Sequence, residues 1–171
     1  DSRLIPVLEE TLAEHSNVKI INDDIMKVDL HKLIEEEFNG LEVAVCANLP
    51  YYITSPVIMR LMEERLPIKS ITVMVQKEAG QRLCAKMGTR EMGAVTVAIN
   101  YFSQPKLLFN VSRGSFMPPP NVDSCVVRFD IKETTPLGVT DEKFFFQTVR
   151  GAFSQRRKTL VNSVSASLSI D

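Results

Sequence analysis

Apolar residues recur along the chain at two spacings, and the alternation between them sets out an ordered series of helices and strands. Leu4, Ile5, Leu8 and Leu12 share a face of a helix over 3–14, with Asp1-Ser2 placed to cap it. Residues 18–22 read as a strand. Asp29 can cap a second helix whose Leu30, Leu33, Ile34 and Phe38 again form one apolar face, and Asn39-Gly40 is a suitable terminator. Residues 43–47 are five small apolar residues, a run short enough for a strand buried on both faces of a parallel sheet. Ser55 then offers an N-cap, Pro56 suits a first helical turn, and Val57, Ile58, Leu61 and Met62 follow at helical spacing. Residues 70–76 are β-rich, and 77–87 are helical with Lys77, Arg82 and Lys86 outward. The β-branched residues of 93–102 favour a strand, and 106–111 and 124–131 also read as strands. Between the last two, Pro118-Pro119-Pro120 predicts an extended polyproline segment that cannot join a central ladder. A short linker near 135–140 leads to a helix capped by Asp141, carrying Phe144, Phe145 and Val149, and a final helix runs through 157–168. Strands alternating with helices predict an α/β fold.

The stretch after residue 47 concentrates the chemistry. Asn48 to Tyr52 forms a loop at the carboxyl end of a predicted parallel strand, where open α/β sheets place ligands. Asn48 brings an amide oxygen. Pro50 biases Leu49 toward an extended conformation that can aim its carbonyl outward, and Tyr51 supplies a flat π face. Two acceptors and an aromatic plate suit a planar heterocycle with an exocyclic amino group, such as adenine. Asn and Pro are also ordinary turn residues, so the tetrapeptide alone is equally compatible with a plain strand-to-helix turn.

Composition narrows the compartment and the partner. The 171 residues are 44% hydrophobic and 24% charged, as expected for a globular chain with one full core and a small appendage. No apolar run approaches a membrane span and no signal-peptide pattern opens the sequence, which points to a cytoplasmic protein. Cys46, Cys84 and Cys125 are scattered among apolar neighbours and read as reduced core thiols. His15 and His31 read as isolated and exposed, and no metal site is expected. The net charge of −1 hides an acidic half, 1–66 at −7, and a basic half, 67–171 at +6. That asymmetry suits contact with a phosphate backbone.

Three motifs in order then point to one family. Asn48-Leu49-Pro50-Tyr51 resembles the base-binding motif of S-adenosylmethionine-dependent N6-adenine methyltransferases, and NLPYYITSP is similar to ribosomal RNA adenine dimethyltransferases. Phe116 to Ser124 (FMPPPNVDS) resembles the F-x-P-P-P-x-V-D-S segment of the KsgA-type branch, which modifies small-subunit rRNA. Phe153 to Leu160 (FSQRRKTL) is similar to the F-x-Q-R-R-K-T segment near that family's second domain.

The resemblance implies a Rossmann-like S-adenosylmethionine-dependent methyltransferase core over 1–134, without its first two strands, and the start of a small all-α domain over 135–171. It implies a helix at 93–102, against the residue composition. It implies a base site of Asn48, Leu49, Pro50, Tyr51 and Phe116, the two rings stacking on either side of the adenine. Asp24 and Asn48 would contact the cofactor, and Arg113, Arg156, Arg157 and Lys158 the RNA. The implied partner is small-subunit rRNA in a precursor particle, met by a monomer. The family's glycine-rich loop and ribose-binding acid have no counterpart here, so residues 1–171 alone are expected to be inactive, and the strand at 18–22 is expected to lack a neighbour. Erythromycin-resistance methyltransferases share the NLPY string, but the proline-rich V-D-S segment argues against them. An idle RNA-binding scaffold on the same fold is the other alternative, opposed by the intact Asn48-Leu49-Pro50-Tyr51.

Overall fold

Two strands with alternating apolar residues form the centre of the molecule. In the computed structural model, which describes residues 2–134, 138–155 and 157–169, β2 (Ile68–Gln76) and β4 (Ser124–Ile131) run antiparallel. Ile71 lies opposite Phe129, Val73 opposite Val127 and Val75 opposite Cys125, and none of the six is more than 1% exposed. Period-two alternation puts all six on one face, which becomes the core. β1 (Val43–Asn48) joins β2 in parallel and β3 (Ser103–Val111) joins β4 antiparallel, giving the order β1-β2-β4-β3.

Helices supply the other half of the core. α1 (Ile5–Thr11) and α2 (Leu30–Phe38) precede the sheet, and Asp29 accepts the Lys32 N–H at 3.0 Å to cap α2. Asn39 (φ 42°) and Gly40 (φ 79°) end α2 in the left-handed conformation, as expected. α3 (Thr54–Glu63) buries Val57, Ile58, Leu61 and Met62, the four residues set out by its spacing. α4 (Lys77–Leu83) lies against β2 and β4 through Gly80, where a Cβ would stand 2.2 Å from Cys125 Sγ. α5 (Ala94–Phe102) is a helix despite its β-branched residues. Thr96 explains part of this: its hydroxyl accepts the Gly93 N–H at 3.0 Å and donates to the Arg82 carbonyl at 2.9 Å. Burial of Ala98, Ile99, Tyr101 and Phe102 supplies the rest, an override of propensity by packing.

α6 (Glu142–Phe153), capped by Asp141 at the Phe144 N–H, packs its Phe145 and Phe146 on Tyr101 and Phe102 of α5, with ring centroids 5.1–5.4 Å apart. Arg65 covers the Phe102 ring at 4.7 Å and pairs with Glu142. α7 (Leu160–Leu168) returns along α6, with Gly151 at the contact. A Cβ on Gly151 would lie 2.8 Å from Ser167 Cβ. Gly151→Ala is therefore expected to lower stability by about 1–3 kcal/mol in thermal denaturation, through overpacking.

Several sequence expectations need correction. Residues 18–22 form no strand, and Val18 and Ile21 are exposed, because no neighbouring strand among the described residues takes up their backbone groups. β1 is consequently an edge strand: Val43 is buried, but Ala44, Cys46 and Asn48 are exposed, so the run is not covered on both faces and Cys46 is not a core thiol. α1 follows a 3₁₀ turn at Ser2–Leu4 and ends at Thr11, with Leu4 at the N-cap and no side-chain cap; Asp1 lies outside the described residues. Ser55 does not cap α3, which begins at Thr54 directly after a 3₁₀ turn at Tyr51–Ile53. α4 ends at Leu83 instead of near 87, and Lys77 is half-buried. The proline segment bends at 116–118 around a cis Met117–Pro118 bond and is not extended from its start. α7 begins only after Thr159, so Arg157 and Lys158 lie in the turn before it, while Arg156 and linker residues 135–137 lie outside the described residues. His31 is exposed but not isolated, its Nε2 lying 2.9 Å from the Glu64 carbonyl.

Candidate active site

The loop leaving β1 is shaped so that some of its acceptors are used and others are free. Pro50 (φ −57°, ψ 135°) turns the chain into the Tyr51–Ile53 3₁₀ turn. Its carbonyl accepts both the Ile53 N–H at 3.1 Å and the Thr54 hydroxyl at 3.2 Å. The carbonyl before it, on Leu49, accepts no hydrogen bond from the described residues, and the exposed Asn48 side chain makes none either. Proline has no N–H to offer at this point. Two adjacent acceptors therefore stand open at the carboxyl end of a parallel strand.

Tyr51 is fixed beside them. Its hydroxyl lies 3.0 Å from Ser124 Oγ, and Ser124 is fully buried at the first position of β4, opposite Gln76. The following Tyr52 is 84% exposed and has no comparable anchor. Ser124 belongs to the V-D-S string, so the two motifs that are 73 residues apart in sequence meet at this hydrogen bond.

The residue before it organises the proline loop. The Asp123 carboxylate accepts the Arg113 N–H at 3.0 Å, while its carbonyl accepts the Lys77 N–H at 2.9 Å. Asp123 thus ties the 3₁₀ turn at Arg113–Ser115 to the junction of β2 and α4. Phe116, next along, is half-buried and makes no ring contact with Tyr51. Sequence reasoning singled out Tyr51 and Phe116 and passed over Asp123 and Ser124 as site-forming residues. The signal was present, since both stand in the motif string with the prolines.

A third loop carries Asp24. Its Oδ1 accepts the Met26 N–H at 2.9 Å, its carbonyl accepts Lys27 and Val28 N–H groups at 2.7 and 3.1 Å, and Lys27 Nζ is 3.8 Å from Oδ2. The exposed carboxylate retains acceptor capacity for an amino group. Arg60, on α3, holds this loop: Nη1 donates to the Ile25 carbonyl, Nη2 donates to that of Val28 at 2.7 Å, and Nε donates to Glu64 at 2.5 Å. No hydrogen bond joins Asp24 to Asn48. They are connected through α3, which starts beside the Tyr51 turn and carries Arg60 two turns on. Sequence spacing gives no sign of Arg60.

Cys84 and Cys125 are inert thiols. Burial, and secondarily the nearby Cys125, pushes the Cys84 thiol up to about 11. Burial also raises Cys125, opposed by the Lys77 ammonium. Both stay protonated near neutrality and are poor nucleophiles. Among the described residues no His, Cys, Asp or Glu cluster is placed to hold a metal, and no helix is long and apolar enough to cross a membrane. Of the basic residues singled out by sequence, Arg113 lines a cavity at the end of β2, and Lys158 lines a second cleft with Arg82 and Arg90. Arg157 is exposed in the turn before α7.

A parallel strand ending in free acceptors and an anchored ring, on a sheet that continues antiparallel, is the arrangement of a Rossmann-like methyltransferase. The family model for ribosomal RNA adenine dimethylase matches residues 1–170, and the chain belongs to that family. It is 50% identical over 165 residues to the ribosomal RNA small subunit methyltransferase A of Alkaliphilus oremlandii, covering 96% of this chain and 58% of that protein. Against the protein of the same name from Bacillus mycoides it is 49% identical over 169 residues, covering 98% and 58%. The chain thus spans somewhat over half the length of these relatives. Among solved structures it resembles a dimethyladenosine transferase from Plasmodium falciparum, with a TM-score of 0.79 and 31% identity over 99% of this chain and 59% of that one. The 23S rRNA methyltransferase ErmE shares the fold, with a TM-score of 0.73 at 23% identity over 97% of this chain and 64% of that one.

Proposed function

We propose that the full-length protein dimethylates N6 of two adjacent adenosines in the 3′-terminal hairpin of small-subunit rRNA, acting as a cytoplasmic monomer on a precursor of the small subunit. The pair of open acceptors, the Asn48 side chain and the Leu49 carbonyl, carries this reading. An adenosine leaves its stack to reach them, as enzymes acting on bases require. The amino nitrogen of adenine is a weak nucleophile because its lone pair is delocalised into the ring. Acceptors on its N–H bonds draw it toward a tetrahedral geometry and fix its direction of attack. Tyr51, held by Ser124, offers one face for stacking, and Phe116 is assigned the other. S-adenosylmethionine supplies an activated methyl group on a sulfonium centre. Within this chain Asp24 would accept from the amino group of its adenine, and Asn48 would border the methyl. Arg113, Arg156, Arg157 and Lys158 are assigned to rRNA phosphates, and residues from 135 onward to the start of a helical second domain.

The reading is tested by transfer of labelled methyl groups from S-adenosylmethionine to unmethylated small and large ribosomal subunits. Label in small subunits alone is expected. Label confined to large subunits would overturn the choice of substrate, and label in neither would favour an idle scaffold.

Arg60 provides a separate check on the cofactor side. Arg60→Met removes the donors to Ile25 and Val28 and frees the Asp24 loop. We expect about tenfold weaker S-adenosylmethionine binding by the full-length protein in calorimetry, on the scale of one charge-assisted hydrogen bond. Unchanged affinity would remove Asp24 from the cofactor site.

A further inference from the structure

Beside the Tyr51 anchor lies a cavity of about 590 Å³, within the range of small-ligand sites. Gln76, Lys77, Glu78, Gln81, Arg113 and Asn121 line it. We propose that this cavity is the subsite for the nucleotide next to the extruded adenosine, with its phosphate between Lys77 and Arg113 and its base edge against the amides. The proposal rests on the reading above that an rRNA adenosine occupies the Asn48 loop.

Position is the first argument. Ser124 bonds to Tyr51 and stands opposite Gln76, and the adjacent Asp123 binds the backbone N–H groups of both Arg113 and Lys77. The wall of the base site and the wall of the cavity are therefore consecutive residues of one chain segment. A nucleotide covalently joined to the extruded one has to leave the base site past such a wall.

Charge is the second argument. Among the described residues neither Lys77 nor Arg113 has a carboxylate within salt-bridge distance, so both charges are available to a ligand entering the cavity they line. The Asp123 carboxylate, which also faces this region, is engaged by the Arg113 N–H. Glu78 is the one other acid of the lining, and it is exposed. Two unpaired cations with backbone positions fixed by one residue form a setting for a phosphate, and guanidinium is the side chain best matched to it.

Chemistry of the lining is the third argument. Gln76, Gln81 and Asn121 are primary amides, each able to donate and accept at once. Amides of this kind read the paired donor and acceptor on an adenine edge. Such a subsite would hold the second adenosine of the adjacent pair while the first is modified.

The test uses full-length protein and small subunits reconstituted with rRNA in which single phosphates flanking the two adenosines are replaced by neutral methylphosphonates. For wild type, one such replacement is expected to lower kcat/KM about tenfold, the effect of one charge-assisted contact. For Lys77→Gln/Arg113→Gln, kcat/KM on normal rRNA is expected to fall by a similar factor, and that same replacement should then cost nothing further. Wild type indifferent to every replacement would overturn the proposal, as would a double variant that keeps full sensitivity. If the double variant does not fold, Glu78→Gln decides: removing the rim carboxylate should raise kcat/KM severalfold on normal rRNA and not on the neutral-phosphate rRNA, and equal behaviour on both would overturn the subsite. Failure of the underlying reading looks different, because wild type would then methylate no adenosine even in unmodified rRNA.

Discussion

Asn48→Ala in the full-length protein is expected to reduce methyl transfer to small subunits by about 10²–10³-fold, the range for removing one preorganised polar group aimed at a reacting atom. The side chain is exposed and makes no hydrogen bond to the described residues, so its removal costs no contact among them. Its proposed work lies on the reacting nitrogen, where an acceptor matters most as positive charge develops. Affinity for rRNA is expected to stay within about twofold, since phosphate contacts dominate binding to nucleic acid. Asn48→Asp keeps an acceptor oxygen and should retain more activity than the alanine variant. Steady-state transfer of labelled methyl groups separates these outcomes. Near-wild-type turnover by Asn48→Ala would remove this residue from the reaction.

Gly80→Ala is expected to lower the stability of the protein by about 2–3 kcal/mol, although alanine is the better helix former by about 1 kcal/mol. The new Cβ would lie 2.2 Å from the Sγ of Cys125 and 3.2 Å from methyl groups of Val75 and Val127. All three neighbours are buried residues of the central strand pair and have little room to move. α4 would have to lift from the sheet, carrying Lys77 away from Asp123. Deleting the sulfur should relieve most of the clash, so Cys125→Ala is expected to rescue Gly80→Ala in a double-mutant cycle. Chemical denaturation of the four proteins measures this. Additive losses, or a single Gly80→Ala as stable as wild type, would contradict the packing described for α4.

Much of this architecture was legible from spacing alone, and the reasons are local. α2 has its cap, apolar face and left-handed terminus in consecutive residues, and buried positions alternate from Ile71 to Val75 in β2 and from Cys125 to Phe129 in β4. α5 was not legible in composition, because its helix depends on Thr96 reaching a carbonyl of α4 and on burial of its aromatic end, both long-range effects. The failure at 18–22 has the opposite character. A pentapeptide with three β-branched apolar residues, Val18, Ile20 and Ile21, is locally suited to a strand but has no neighbour to pair with in the described sheet. β1 was misread for a related reason: small apolar residues fit a strand covered on both faces, yet this one is an edge.

Within the candidate site, residues with distinctive chemistry in a motif were found and residues that act through geometry were not. Asn48 and Tyr51 announce themselves beside Pro50. Ser124 gains its place only when the start of β4 is brought against the loop after β1, and Arg60 only when α3 folds over the loop at 24–28. The turn position of Arg157 and Lys158 likewise depends on Thr159, not Arg157, being the residue that caps α7.

Mapping of the modified nucleosides tests the central claim most directly. Unmethylated small subunits are incubated with the full-length protein and S-adenosylmethionine, and the 3′-terminal rRNA fragment is sequenced by mass spectrometry. The account predicts N6,N6-dimethyladenosine at two adjacent positions of the terminal hairpin, with both marks lost in Asn48→Ala. Methylation at another base, at another atom of adenine, or undiminished in Asn48→Ala would contradict it.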